Sequence, residues 1–289
     1  MRHCIHGLLI ILSTAILAAT VSNGMAAPTQ AANASGKPNM FSVINKFAQF
    51  SSVAYEDKDE MGQLSQKWGY RLTNAGQLED EGVRYFLATN KREKTQIISI
   101  RGTANAENAA VNFSLKLDRN NPAGISLHSG FAKAAAGVLG ELRSDIKSNY
   151  EISLTGHSLG GGVAVILAMY LDTDDYKIDR VVTFGQPKVT NINGANRFGH
   201  LNILRVVTPK DMIPLLPPFD PVAVPHRGIY WHLGTEIVLL EGTEYSMLGG
   251  INSMLRATKF FKDRPDQDNL QNHEMSTYSQ LVDQKIKAA

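Results

Sequence analysis

The chain has 289 residues, 43% of them hydrophobic and 19% charged, the make-up of an ordinary globular protein that can bury a core without disulfide staples. Its formal charge of +2 includes Arg2 near the N-terminus, so neither nucleic acid nor an anionic surface is indicated as a partner. An uncharged substrate fits this balance better than one steered by a strong field.

Arg2 and His3 precede an apolar run from Leu8 to Val21, with small residues following at Gly24, Ala26 and Ala27. A basic start, a short apolar stretch and a small-residue zone describe a secretory signal peptide over residues 1–26, which implies export to the periplasm or the medium. The run is shorter than the roughly 20 residues a spanning helix needs. The single cysteine, Cys4, lies within this leader, so the exported chain is expected to lack disulfides, a thiol nucleophile and thiolate metal ligands. Residues 27–38 are rich in Ala, Asn, Gly and Pro and read as a flexible lead-in. No repeat or linker divides residues 39–289, which are read as one domain.

Phe41, Ile44, Phe47, Ala48 and Ala54 approximate helical spacing. Strand-like runs follow at 83–89 and 96–100, separated by a polar turn. Residues 130–146 are Ala-rich and helical. A strand at 151–155 leads to a helix at 160–171, and further strands are expected at 180–184, 202–207 and 230–240. A final amphipathic helix spans 272–286, with Met275, Tyr278, Leu281 and Val282 on its apolar side. Strands alternating with helices predict a mostly parallel α/β sheet covered on both faces.

The strand at 151–155 runs directly into Gly156-His157-Ser158-Leu159-Gly160, and a helix leaves it. In a nucleophile elbow of the α/β-hydrolase type the serine occupies a sharp strained turn, and small neighbours let strand and helix close together. That geometry lifts the Ser158 hydroxyl above the sheet beside the positive end of the helix. A serine nucleophile needs a base within hydrogen-bond reach, and the chain order in such folds is Ser, acid, His. Asp211 is the best-placed acid, in the loop after the apolar strand that ends near Val207. The acidic stretch Asp172, Asp174, Asp175 and Asp179 lacks the glycine and terminal glutamate of a calcium loop and reads as a solvated helix end. His200 precedes Asp211. Local chemistry leaves His226, His232 and His273 as candidate bases, and the helix-start position of His273 favours it mildly.

Several ordered motifs resemble the class 3 lipases, the family that includes the secreted filamentous-fungal triacylglycerol lipases. They are Ile98-Ser99-Ile100-Arg101-Gly102-Thr103, His128-Ser129-Gly130-Phe131, the elbow Thr155 to Gly161, Thr183-Phe184-Gly185-Gln186-Pro187-Lys188-Val189, and Asp211-Met212-Ile213-Pro214 with Leu216-Pro217-Pro218. The resemblance covers nearly the whole chain from Asn39. It implies an α/β-hydrolase fold and a triad of Ser158, Asp211 and His273, the last in a His-x-x-x-x-Tyr setting with Tyr278. His232 falls in a segment that is structural in the family. Thr103, through its N–H and hydroxyl, and Leu159, through its N–H, are implied as the oxyanion donors. No metal or cofactor is implied. The substrate implied is a neutral lipid or other ester, met at a lipid–water interface. Residues 104–112 depart from the pattern: the family's tryptophan-containing lid helix is replaced by a stretch short of large apolar groups, with little beyond Val111 and Phe113. A lid that opens at an interface needs an apolar face. Phospholipase A1 and short-chain esterase activities therefore stand beside acylglycerol hydrolysis as expectations. A catalytically inert binding protein is the remote alternative.

Overall fold

Alternation along the strands decides the architecture. In the strand Val83–Asn90, Tyr85 and Leu87 enter one apolar cluster while Phe86 and Ala88 enter another. Ile98 and Ile100 part from Ile97 in the same way, and Val181 parts from Val182. Strands apolar on both faces must be covered on both, and helices supply the cover. The computed structural model describes residues 39–102, 117–217, 229–250, 252–253 and 267–287. The expected signal peptide and lead-in lie outside them, as do Thr103, the departing segment 104–112 and His226.

The described residues open with α1 (Met40–Val53) and α2 (Lys58–Lys67), then the strands β1 (Arg71–Leu78), β2 (Val83–Asn90) and β3 (Thr95–Arg101). Two short strands follow, β4 (Leu117–Asp118) and β5 (Leu127–His128), and then α3 (Ser129–Leu142). Next come β6 (Glu151–His157), α4 (Leu159–Thr173), β7 (Lys177–Phe184), β8 (Thr190–Asn191), α5 (Ile192–Arg197) and β9 (Ile203–Val207). The chain continues through β10 (Tyr230–Trp231), β11 (Thr235–Leu239), β12 (Tyr245–Leu248), α6 (Gln267–His273) and α7 (Met275–Lys287).

The main sheet is eight-stranded in the order β1-β2-β3-β6-β7-β9-β11-β12. From β3 to β11 every pairing is parallel, and the antiparallel pairs lie at the two edges. Helices α3 and α4 cover one face. Residues 163–171 of α4 are buried on every side of the helix, as a helix wedged within a core must be. Helices α1 and α7 cover the other face and pack against each other, although they come from opposite ends of the chain. A small four-stranded sheet, β10-β8-β5-β4, lies apart from the first.

The mostly parallel sheet with helices on both faces is the architecture expected from the sequence. Two expected elements are divided. The run 230–240 splits into β10 and β11, because His232 turns out of the strand and donates from Nε2 to the Pro214 carbonyl at 2.7 Å. The last helix breaks at Glu274, between α6 and α7.

The tightest packing in the sheet is where β6 and α4 cross the end of β3. A Cβ on Gly160 would strike the Ile100 carbonyl oxygen and come within 2.7 Å of the Arg101 carbonyl carbon. Only a residue without a side chain permits that approach. Gly160→Ala should lower unfolding stability by about 1–3 kcal/mol through forced backbone shifts. The midpoint and slope of a urea titration would measure the loss.

Candidate active site

Ser158 stands between β6 and α4 with φ 57° and ψ −129°. For a residue with a Cβ this is a strained conformation that costs about 1–3 kcal/mol and persists only where the surroundings fix it. Here the backbone fixes it: the Ser158 N–H donates to the Phe184 carbonyl at 2.8 Å, and the Gly161 N–H donates to the Ser158 carbonyl at 3.0 Å. The turn throws the hydroxyl towards His273, whose Nε2 lies 2.8 Å from Ser158 Oγ.

The other ring nitrogen of His273, Nδ1, lies 2.7 Å from Asp211 Oδ2. A carboxylate accepts, so Nδ1 carries the hydrogen and Nε2 presents its lone pair to the serine hydroxyl. Asp211 also accepts from the Tyr278 hydroxyl on Oδ2 at 2.5 Å and from the Ile213 N–H on Oδ1 at 2.9 Å. Both carboxylate oxygens are thereby engaged, and Asp211 and His273 are buried.

The loop that carries Asp211 is fastened by the segment that follows the neighbouring strand, β7. Lys188, buried after β7, donates from its backbone N–H to Leu216 O at 2.8 Å. Its ammonium reaches the Leu215 carbonyl and, at 2.9 Å, the Pro217 carbonyl. Gly185 follows β7 with φ 59°, and a Cβ there would lie 2.8 Å from both Asp211 Oδ2 and His273 Nδ1. A side chain at that position would sit against the hydrogen bond between the two.

The structure thus brings together Ser158, Asp211 and His273. Leu159 is the first residue of α4, so its N–H has no partner within the helix and points outward beside Ser158. Thr103 lies outside the described residues, but Gly102 before it abuts the site: a Cβ there would be 3.0 Å from Ser158 Cβ. His232 is bonded to the Pro214 carbonyl, away from Ser158. Among the described residues no group of His, Cys, Asp and Glu is arranged to hold a metal ion.

Three residues around the triad carry no role that local pattern reveals: Tyr278, His157 and Tyr55. Tyr278 has a signal in its place on the apolar side of the last helix. Tyr55 has none, since 102 positions separate it from its partner His157. The His157 ring is buried 4.7 Å from that of His273, centroid to centroid. Burial, and then the charge that His273 can carry, push its pKa down from 6.5 to about 3. Burial pushes the Tyr55 hydroxyl up to about 12, against the opposing pull of Arg101 and the Gly102 backbone.

Residues 97–220 match the family described as lipase (class 3). A secreted mono- and diacylglycerol lipase of Fusarium solani is 32% identical over 146 residues, which are 47% of this chain and 44% of that protein. A chloroplastic phospholipase A1 of Arabidopsis thaliana is 32% identical over 117 residues, 33% of this chain and 22% of its own length. The match thus spans less than half of either curated relative. Among solved structures, the mono- and diacylglycerol lipase of Aspergillus oryzae aligns with a TM-score of 0.67. That alignment covers 82% of this chain and 96% of the other at 18% identity, a likeness of fold. The fold is of the α/β-hydrolase type.

The depressed pKa of His157 predicts how stability varies with acid. Between pH 6.5 and about 3 the unfolded chain protonates this residue while the folded chain does not. Stability rises with pH wherever the unfolded state binds more protons, so this contribution is present above 6.5 and is lost as pH falls towards 3. Thermal melting across that window should show a steeper acid decline in the wild type than in His157→Gln, which has no titrating ring at that site.

Proposed function

We propose that the chain, whose residues 97–220 match the class 3 lipase family, is an exported serine carboxylic-ester hydrolase acting on acylglycerols through an acyl-enzyme. The observation that carries this reading is the continuous hydrogen-bonded chain from Ser158 Oγ through His273 to Asp211. In it His273 Nε2 takes the serine proton as Oγ attacks the ester carbonyl. Asp211 keeps Nδ1 protonated and faces the positive charge the ring acquires. The Leu159 N–H and Thr103 donate to the oxygen as it becomes negative. The protonated His273 then gives its proton to the leaving alcohol. In the second half the same ring draws a proton from water as the water oxygen attacks the acyl carbonyl; the bond to Oγ then breaks and the ring returns the proton to Oγ, which releases the fatty acid and frees Ser158.

Export is supported by the leader over residues 1–26 and by the secreted Fusarium relative. Acylglycerols are favoured as substrates by the near-neutral charge and by the mono- and diacylglycerol lipases among the similar proteins. The phospholipase A1 relative and the shortage of large apolar groups in 104–112 support a second reading, hydrolysis of phospholipids or short esters on the same site.

Ser158→Ala and His273→Ala should each lower p-nitrophenyl butyrate hydrolysis by about 10⁴-fold or more. A variant that keeps near wild-type turnover would remove that residue from the mechanism. His232→Ala should retain most activity. A fluorophosphonate should label the wild type and spare Ser158→Ala; a wild type that resists labelling would mean an inert protein. Rates on dibutyrin, triolein and phosphatidylcholine then decide the substrate class, with faster turnover of the acylglycerols expected.

A further inference from the structure

We propose that His157 and Tyr55 are positioning residues for the base, fixing the main chain of His273 through one hydrogen-bonded path that starts beside the end of β3. The inference rests on the ester-hydrolase reading above. It begins at the break in the C-terminal helix. Helix α6 ends at His273 and α7 begins at Met275; Gln271 O still accepts from the Glu274 N–H at 3.2 Å, but a helix that stops leaves its last carbonyls short of helical partners.

Side chains take those carbonyls. The Thr277 hydroxyl donates to Gln271 O at 2.8 Å, and the Thr208 hydroxyl donates to Asn272 O at 3.0 Å. His157 Nε2 donates to His273 O at 2.6 Å. The origins of these donors matter. Thr208 follows β9 on the segment that leads to Asp211, and His157 ends β6 immediately before Ser158. The backbone of the base is therefore tied to the element bearing the acid and to the element bearing the nucleophile. These ties are independent of the side-chain bonds that do the chemistry.

The tautomer follows from the partners. A carbonyl only accepts, so His157 Nε2 carries the hydrogen and Nδ1 offers a lone pair. The Tyr55 hydroxyl, 2.8 Å from Nδ1, must then donate. Its oxygen also faces the Gly102 backbone, where an added Cβ would lie 3.3 Å away. Tyr55 thus sits between the strand end that leads to Thr103 and the ring that holds His273. His157 suits this task because it stays neutral: a second imidazolium beside the His273 ring would oppose the charge that ring acquires in each half-reaction.

The test is steady-state kinetics on p-nitrophenyl butyrate with the full exported chain. A displacement of the base by about 1 Å can cost about 10²-fold, so His157→Leu should lower kcat by about that factor and leave KM within about twofold. His157→Gln places an amide N–H near the position of Nε2 and should recover about tenfold of the loss. Tyr55→Phe removes one donor and should lower kcat about threefold to tenfold. Circular dichroism confirms the fold of each variant. Equal impairment of the folded Leu and Gln variants would overturn the proposal, as would a His157→Leu enzyme within about threefold of wild type. If His157→Leu does not fold, Tyr55→Phe decides, and an unchanged kcat overturns it. Ser158→Ala in the same assay separates the two readings: an active Ser158→Ala defeats the ester-hydrolase assignment, whereas an inactive one with an unimpaired His157→Leu defeats only the positioning role.

Discussion

The arrangement depends on one steric constraint, the crossing of β6 and α4 over the end of β3. The Gly160 backbone lies so close to the Ile100 carbonyl that no side chain can intervene. Between these two elements the chain must reverse within one residue, and Ser158 takes the left-handed conformation that makes this possible. A serine held in a less strained turn would keep its hydroxyl nearer the sheet. The neighbouring strands enforce the strain: the parallel register of β6 with β3 and β7 leaves the Phe184 carbonyl under the Ser158 N–H. Local strain of this kind is stable because the flanking sheet is buried on both faces and cannot relax to relieve it.

Around that turn two imidazoles are buried within van der Waals range of each other, yet their partners give them opposite characters. His273 faces a carboxylate on one side and a hydroxyl on the other, so it can accept a proton and hold the charge. His157 faces a carbonyl and a phenol, neither of which carries a charge to offset a positive ring. The same side chain is placed to accept from a hydroxyl in one setting and to donate to a carbonyl in the next. Every bond in the network has a defined direction. Donors from His273, Tyr278 and Ile213 converge on Asp211, and the Tyr55 hydroxyl and the His157 N–H lead to the His273 carbonyl. A buried polar network with each member satisfied in this way specifies a single geometry, whereas one with an unmatched donor would be costly.

The core of this arrangement is legible in the sequence because it obeys short-range rules. The apolar runs at 83–89 and 96–100 announce strands, and a strand followed by Gly-x-Ser-x-Gly and a helix announces the turn. The edges are harder. Strand β1 is partly exposed along most of its length, so no burial pattern marks it, and β12 is short. Helix α2 is polar and lacks an apolar stripe, although the capping box formed by Asp57 and Glu60 signals its start. The two-sided run 230–240 gives no sign of its division, which depends on a bond from His232 to a loop some twenty residues earlier. The choice among three histidines needs the family resemblance, because distance in space is invisible to local pattern. Tyr55 is wholly hidden for the same reason.

Those hidden contacts share one origin. The segment that matches the lipase family, residues 97–220, contains Ser158 and Asp211 but neither Tyr55 nor His273. The missing members sit beyond its two ends, just after α1 and at the end of α6. What brings them together is apolar packing: Phe41, Ile44 and Phe47 of α1 share a cluster with Met275, Tyr278 and Val282 of α7. Each buried side chain of this kind contributes about 1.5–3 kcal/mol relative to exposure, so the pairing of the terminal helices is a major source of stability for that face. The same pairing sets Tyr278 against Asp211 and His273 against Ser158. His273, the proposed base, is thus delivered by packing between α1 and α7, while Ser158 and Asp211, the proposed nucleophile and acid, belong to the continuous middle. Loosening α1 against α7 would leave the strained serine intact and take the His273 ring away from it, so the proposed hydrolytic activity should be lost before the central sheet is.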